Sequence, residues 1–252
     1  MIENSGVVMR RRGAPEVLDL ATALVRVDAG RLLRRALPLV LPVAMVTGLL
    51  WLLEPWLGVA AGVLMARLVQ LPALLAASDR AAGRVPSLAW SRLLSGWAAL
   101  TPGTLLYGFG YVVGLPLLVL PPYLWLRGLF LPEVVVLERP EGGAGARLGS
   151  FMAGAVGEIL VTRMWQVAIE VWFMVGVALT GEFVIEVLLQ LGAPFGALME
   201  GEASPLLVVG SFLAQPLLSV FRFCSYLDIR TRREGLDAWF LLWSAANREP
   251  SP

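Results

Sequence analysis

Phe221-Arg222-Phe223-Cys224-Ser225-Tyr226-Leu227-Asp228-Ile229-Arg230-Thr231-Arg232-Arg233-Glu234-Gly235-Leu236-Asp237 is where a long apolar run gives way to charge. Asp228 and Arg232, Arg230 and Glu234, and Arg233 and Asp237 each stand at i,i+4, the spacing at which side chains on one helix face meet. Gly235 follows as a helix stop. The arginines sit where a helix C-terminus carries partial negative charge. The stretch therefore reads as a membrane helix leaving the bilayer through a charged, pair-laced turn, and it sets the fold class: an all-α membrane protein.

Composition agrees. The 252 residues are 58% hydrophobic and 15% charged, with mean hydropathy +0.74. A soluble domain carries about 25% charged residues, so most of this surface faces something other than water. A net charge of +1 gives no support for nucleic acid as a partner. All 20 basic residues are arginine, and lysine and histidine are absent. Without histidine there is no HExxH metalloprotease, no Ser-His-Asp triad and no His-ligated metal. The lone Cys224 excludes an internal disulfide or a cysteine cluster and reads as a buried or interfacial bystander. The sequence has no GxSxG, no GxGD-type aspartyl pair, no nucleotide-binding loop and no two acids at metal spacing on one span. The expectation is a non-enzymatic protein with no cofactor and no metal.

Arg10, Arg11 and Arg12 precede the first apolar run, near Ala36, by too far for an ordinary signal peptide. The N-terminus is expected to be uncleaved and cytoplasmic, with 1–14 a mobile tail. Residues 15–28 read as an amphipathic helix that Gly30 ends, lying either in the headgroup region or on the protein's own cytoplasmic face. About six spans follow: 36–53, 57–77, 98–120, 123–137, 164–189 and 205–223. Glu54-Pro55-Trp56 is a turn between the first two, and Gly58 and Gly62 have the GxxxG spacing of close helix approach. Further interfacial helices are predicted over 86–96 and 148–163. The whole of 15–237 reads as one helical membrane domain, with hairpin units at about 15–77, 84–138 and 147–230, and 238–252 as a cytoplasmic tail.

Orientation follows from counting arginines. With both termini inside, every arginine except Arg67 and Arg127 falls on an inner segment and the outer loops hold none, as the positive-inside rule requires. The expected location is a bacterial cytoplasmic membrane.

Three stretches also support a family comparison. Tyr226 to Asp237 resembles a "YxDxRxRxEGxD" signature that closes many bacterial multi-pass proteins. Glu16-Val17-Leu18-Asp19 with Arg34-Arg35 resembles their opening "GEILDxA…RR" segment. Arg127, Pro132, Val134 to Glu138, Arg147 and Ser150 resemble their central "R…P…VVLE…RS" region. The relatives are the membrane region of glycerophosphoryl diester phosphodiesterases and uncharacterised proteins like it. In those enzymes the chemistry belongs to a separate soluble barrel for which this chain has no room. The resemblance therefore implies architecture and no catalytic residue.

Ionisable groups within spans are functional hypotheses by default, because burying them in lipid is expensive. Arg67 and Glu170 are candidates for an intramembrane pair, with Arg127 and Glu182 toward the outer side. They read either as a polar pathway for an ion, proton or anionic lipid, or as ion pairs fixing helix order. Gln70, Gln166, Gln190 and Gln215 read as interhelical hydrogen-bond glue. Arg222, Tyr226, Asp228, Arg230, Arg232, Arg233, Glu234 and Asp237 read either as a docking or headgroup motif, or as topology and helix-end pairing. The leading expectation is a scaffold or subunit of a membrane complex, in contact with membrane lipids and other membrane or cytoplasmic subunits. The alternative is a transporter or lipid-handling protein using Arg67 and Glu170.

Overall fold

The computed structural model describes residues 13–86, 89–114, 120–138, 143–192, 196 and 198–234. Among them every regular element is helical: α1 (Ala14–Trp51), α2 (Pro55–Ala66), α3 (Gln70–Ala81), α4 (Trp90–Gly114), α5 (Leu120–Arg127), α6 (Leu131–Glu133), α7 (Ala144–Met152), α8 (Val156–Phe183) and α9 (Leu206–Glu234). A 3-10 turn at Arg67–Val69 joins α2 to α3, and π-helical turns follow α6 (Val134–Glu138) and α8 (Val184–Leu188). The chain is drawn into two compact units. Unit 1 comprises Met1–Leu24, Leu74–Arg163 and Val220–Pro252; unit 2 comprises Val25–Ala73 and Met164–Ser219.

Among the described residues, four helical segments are long and apolar enough to cross a membrane: Ala14–Trp51, Pro55–Ala81, Val156–Leu188 and Leu206–Arg232. They correspond to four of the six predicted spans. The predicted span at 98–120 overlaps α4, with 115–119 outside the described residues. The predicted span at 123–137 is not one helix. α5 stops at Arg127, where Gly128 N–H closes the last turn on Leu124 O at 2.8 Å. A short turn then leads to Pro132 at the start of α6. Proline suits a helix start and not a helix interior, so Pro132, the one proline within 123–137, opens a new helix rather than continuing α5.

Two boundaries differ from expectation. α1 runs unbroken through Gly30 as 38 residues. An isolated helical glycine costs only about 1 kcal/mol, and the ion pair from Arg31 Nη1 to the buried Asp28 Oδ1, 3.0 Å, bridges it on the helix surface. The predicted surface helix over 148–163 is split. α7 ends at Met152, Gly154 adopts φ +96°, and α8 then passes straight through Arg163 into the predicted fifth span. The Glu54-Pro55 turn is as predicted: Glu54 Oε2 accepts Leu57 N–H at 2.5 Å and Pro55 opens α2. The segments at 1–12 and 235–252, including Gly235, lie outside the described residues.

The core of unit 1 gathers Leu129, Phe130, Leu131, Val134, Leu148, Phe151, Ile159, Tyr226 and Ile229. In unit 2, Val43, Val59, Ala178, Leu207 and Val208 pack together. There the Gly58/Gly62 pair marks true close approach: a Cβ on Gly58 would lie 2.9 Å from Thr47 O and from Trp51 Cα, and one on Gly62 2.6 Å from Thr47 Oγ1.

Candidate functional site

The charged end of α9, in unit 1, is largely turned inward. Phe221, Arg222, Phe223, Cys224, Ser225, Tyr226, Asp228 and Ile229 are all buried. Arg222 Nε meets Glu133 Oε1 at 2.6 Å, both side chains almost wholly out of solvent. One turn further, Glu138 is a hub. Its Oε2 accepts from Arg147 Nε at 2.6 Å, its Oε1 lies 3.2 Å from Arg147 Nη2 and 3.0 Å from Arg230 Nη1, and the Tyr226 hydroxyl donates to Oε1. Burial pushes the Glu138 carboxyl up, but the hydrogen bonds from Arg147 and Tyr226 and the Arg230 and Arg147 charges outweigh it. The net effect holds this group below the usual carboxylate range. The Tyr226 ring stacks on Phe151 at 5.3 Å and 12° and packs against Phe130 at 5.6 Å. Arg230 and Arg147 lie over the Tyr226 and Phe151 rings, at 5.7 and 5.5 Å. At the rim, Arg232 bridges Asp228 at 2.6 Å and Glu158 at 2.7 Å.

The closing stretch and the central stretch thus meet in space: Tyr226 and Arg230 from one, Glu138 and Arg147 from the other. Of the three predicted i,i+4 pairs, Asp228–Arg232 forms as expected. Arg230 reaches Glu138 on another segment. The side chains of Arg233, Glu234 and Asp237 lie outside the described residues. Arg127, at the end of α5, donates to Gly145 O at 2.6 Å and to the Tyr123 hydroxyl at 3.1 Å.

A second polar cluster lies in unit 2. Glu170 Oε1, on α8, accepts from Ser211 Oγ and Gln215 Nε2 of α9, both at 3.2 Å. Gln70 Nε2 donates to Gln215 Oε1 at 2.5 Å, and Ser219 Oγ donates to Gln70 O at 2.7 Å. Gln166 Nε2 reaches Leu218 O at 3.4 Å. Three of the four glutamines thus take the bridging role the sequence assigns them. The fourth, Gln190, sits past α8 with φ +55°. The structure does not bring Arg67 and Glu170 into an ion pair. Arg67 is exposed and, among the described residues, pairs with no acid; Glu170 is held by neutral donors. Glu182 is buried and its Oε1 accepts Leu198 N–H at 3.1 Å.

Sequence reasoning missed Glu133, Glu138 and Glu158 as acid partners, because each comes from a distant segment. It also missed a legible signal: Ser211, Gln215, Ser219, Arg222 and Tyr226 follow one another at steps of four, four, three and four along α9. That periodicity places them on one helix face, and all five are buried. No known protein family, curated protein or solved structure matches this chain.

Proposed function

We propose that this chain is a multi-pass protein of a bacterial cytoplasmic membrane, with an even number of spans and both termini inside. It acts as a non-enzymatic scaffold or subunit of a membrane complex. The arginine asymmetry between inner and outer segments supports the orientation. One observation carries the scaffold role: Arg222, Arg230 and Arg232 of the closing motif are already matched by acids of the same chain. An anionic headgroup site needs arginine charge left to offer. Here Arg147, Arg230 and Arg232, with side chains 25%, 23% and 26% exposed, stand beside Glu138, Asp228 and the 40% exposed Glu158. The result is a fixed rim of mixed charge, which suits a protein surface carrying both signs.

The test is purification in nanodiscs with mass spectrometry of co-purifying proteins and lipids, comparing wild type with Glu158→Ala/Arg232→Ala. The expected result is a stoichiometric protein partner, depleted in the rim variant while its melting temperature stays near wild type. A single enriched anionic lipid, with no protein partner, would overturn the proposal.

A further inference from the structure

Glu170 stands within the Val156–Leu188 span, 14 residues or ~21 Å along the axis from Val156 at ~1.5 Å per residue. A carboxyl so placed is costly as a bare anion unless something compensates it. The expected compensation, an arginine, is not what it has. α9 presents Ser211 and Gln215, and the start of α3 presents Gln70, all three neutral. The charged side chains of the same unit, including Asp28, Arg67 and Glu182, form no ion pair with it among the described residues.

The hydrogen bonds are arranged asymmetrically. Both fall on Oε1, and Oε2 accepts none among the described residues. The donors are held in place from behind. Ser211 and Gln215 are fully buried. Because Gln70 Nε2 donates into Gln215 Oε1, the Gln215 amide must turn its NH2 toward Glu170. This geometry serves both protonation states without rearrangement. As a carboxylate, Glu170 keeps two donors on Oε1. As a carboxylic acid, it carries the proton on Oε2 while Oε1, now the carbonyl oxygen, accepts the same two bonds.

We propose that Glu170 is a reversible proton-binding site within the membrane, with Oε2 as the protonated atom and Ser211, Gln215 and Gln70 as its positioning residues. This proposal stands apart from the scaffold role and does not depend on it.

The experiment is labelling by dicyclohexylcarbodiimide, a membrane-soluble reagent that adds to protonated carboxyls, on the full chain in nanodiscs across a pH series, read by peptide mass spectrometry. Modification is expected at Glu170 and should fall as pH rises. Glu170→Gln, whose amide oxygen can accept the same two bonds, should fold and lose the label. Ser211→Ala removes one of the two donors on Oε1, so its labelling profile should differ from wild type. Three results would each overturn the proposal: no labelling of Glu170 at any pH in folded protein, labelling indifferent to pH, or a Ser211→Ala profile identical to wild type. Protection by sodium ions at fixed pH would also overturn it, in favour of a metal-cation site.

Discussion

Glu133 and Arg222 lie 89 positions apart in the chain and meet at 2.6 Å, with 0% and 5% of their side chains exposed. The pair ties α6 to α9 inside the same core that holds Phe130 and Tyr226. Two charges taken out of water cost about as much as their attraction returns, but removing one partner strands the other. Glu133→Leu or Arg222→Met alone should therefore destabilise by roughly 3–5 kcal/mol. Glu133→Leu/Arg222→Met together should recover most of that loss. Unfolding of the four proteins of this cycle in one detergent gives the coupling directly. Additive single losses would show that the two residues act separately.

The Glu138 hub carries a pH dependence whose sign is fixed by its environment. Its folded-state carboxyl is held below the ordinary value of 4.5, because Arg147, Tyr226 and Arg230 outweigh the burial that would raise it. Its stabilising contribution is thus fully present above about pH 4.5 and is lost as pH falls through the depressed folded value. Glu138→Gln should melt lower than wild type at neutral pH, and the gap should close on acidification below pH 4.5. A gap that stays constant from neutral pH into that acidic range would refute the linkage.

Tyr226 joins that hub to the aromatic core, and two substitutions separate its roles. Tyr226→Phe keeps the stack on Phe151 and removes the hydroxyl, which donates to Glu138, a charged acceptor, and accepts from Arg230 Nη1 at 3.3 Å. The loss should be about 1–3 kcal/mol. Tyr226→Ala removes the ring as well, and large-to-small changes of this kind cost about 3–5 kcal/mol. Equal losses in the two variants would assign the whole effect to the hydroxyl.

What the sequence made legible was whatever lies within one helix turn or one hydropathy run. Asp228 and Arg232 pair at 2.6 Å because i,i+4 spacing needs no tertiary information. Arg230 Nη1 also lies 3.0 Å from Glu138, 92 positions back in the chain. Nothing local reveals that the π-helical turn ending at Glu138 comes alongside. Gly30 failed as a stop signal because continuation costs so little, and Arg31 and Asp28 reinforce the helix there. The apolar run at 123–137 counted as a span by hydropathy alone. Pro132 and the deeply buried Glu133 impose a broken path that an average over the window hides. For Glu170, placement within a span was readable, but its partners were not. Arg67 was the obvious electrostatic choice, whereas the fold supplies Ser211 and Gln215.

The tightest backbone approach in unit 2 is at Gly210 of α9. A Cβ there would lie 2.5 Å from Phe173 O and 2.6 Å from Met174 Cα, both backbone atoms of α8. Backbone cannot swing aside as a flexible side chain can, so any substituent must push the two helices apart. That would also separate Ser211 and Gln215 from Glu170. Overpacking of this kind costs about 1–3 kcal/mol. Gly210→Val is therefore expected to lower the melting temperature, and Gly210→Ala to do so by less. Gly176, where a Cβ meets nothing within 4 Å, is the matched control on α8. Gly176→Ala should be neutral or slightly stabilising, since alanine is the better helix former. If Gly176→Ala and Gly210→Ala shifted the melting temperature alike, the close approach at Gly210 would not be what holds these helices.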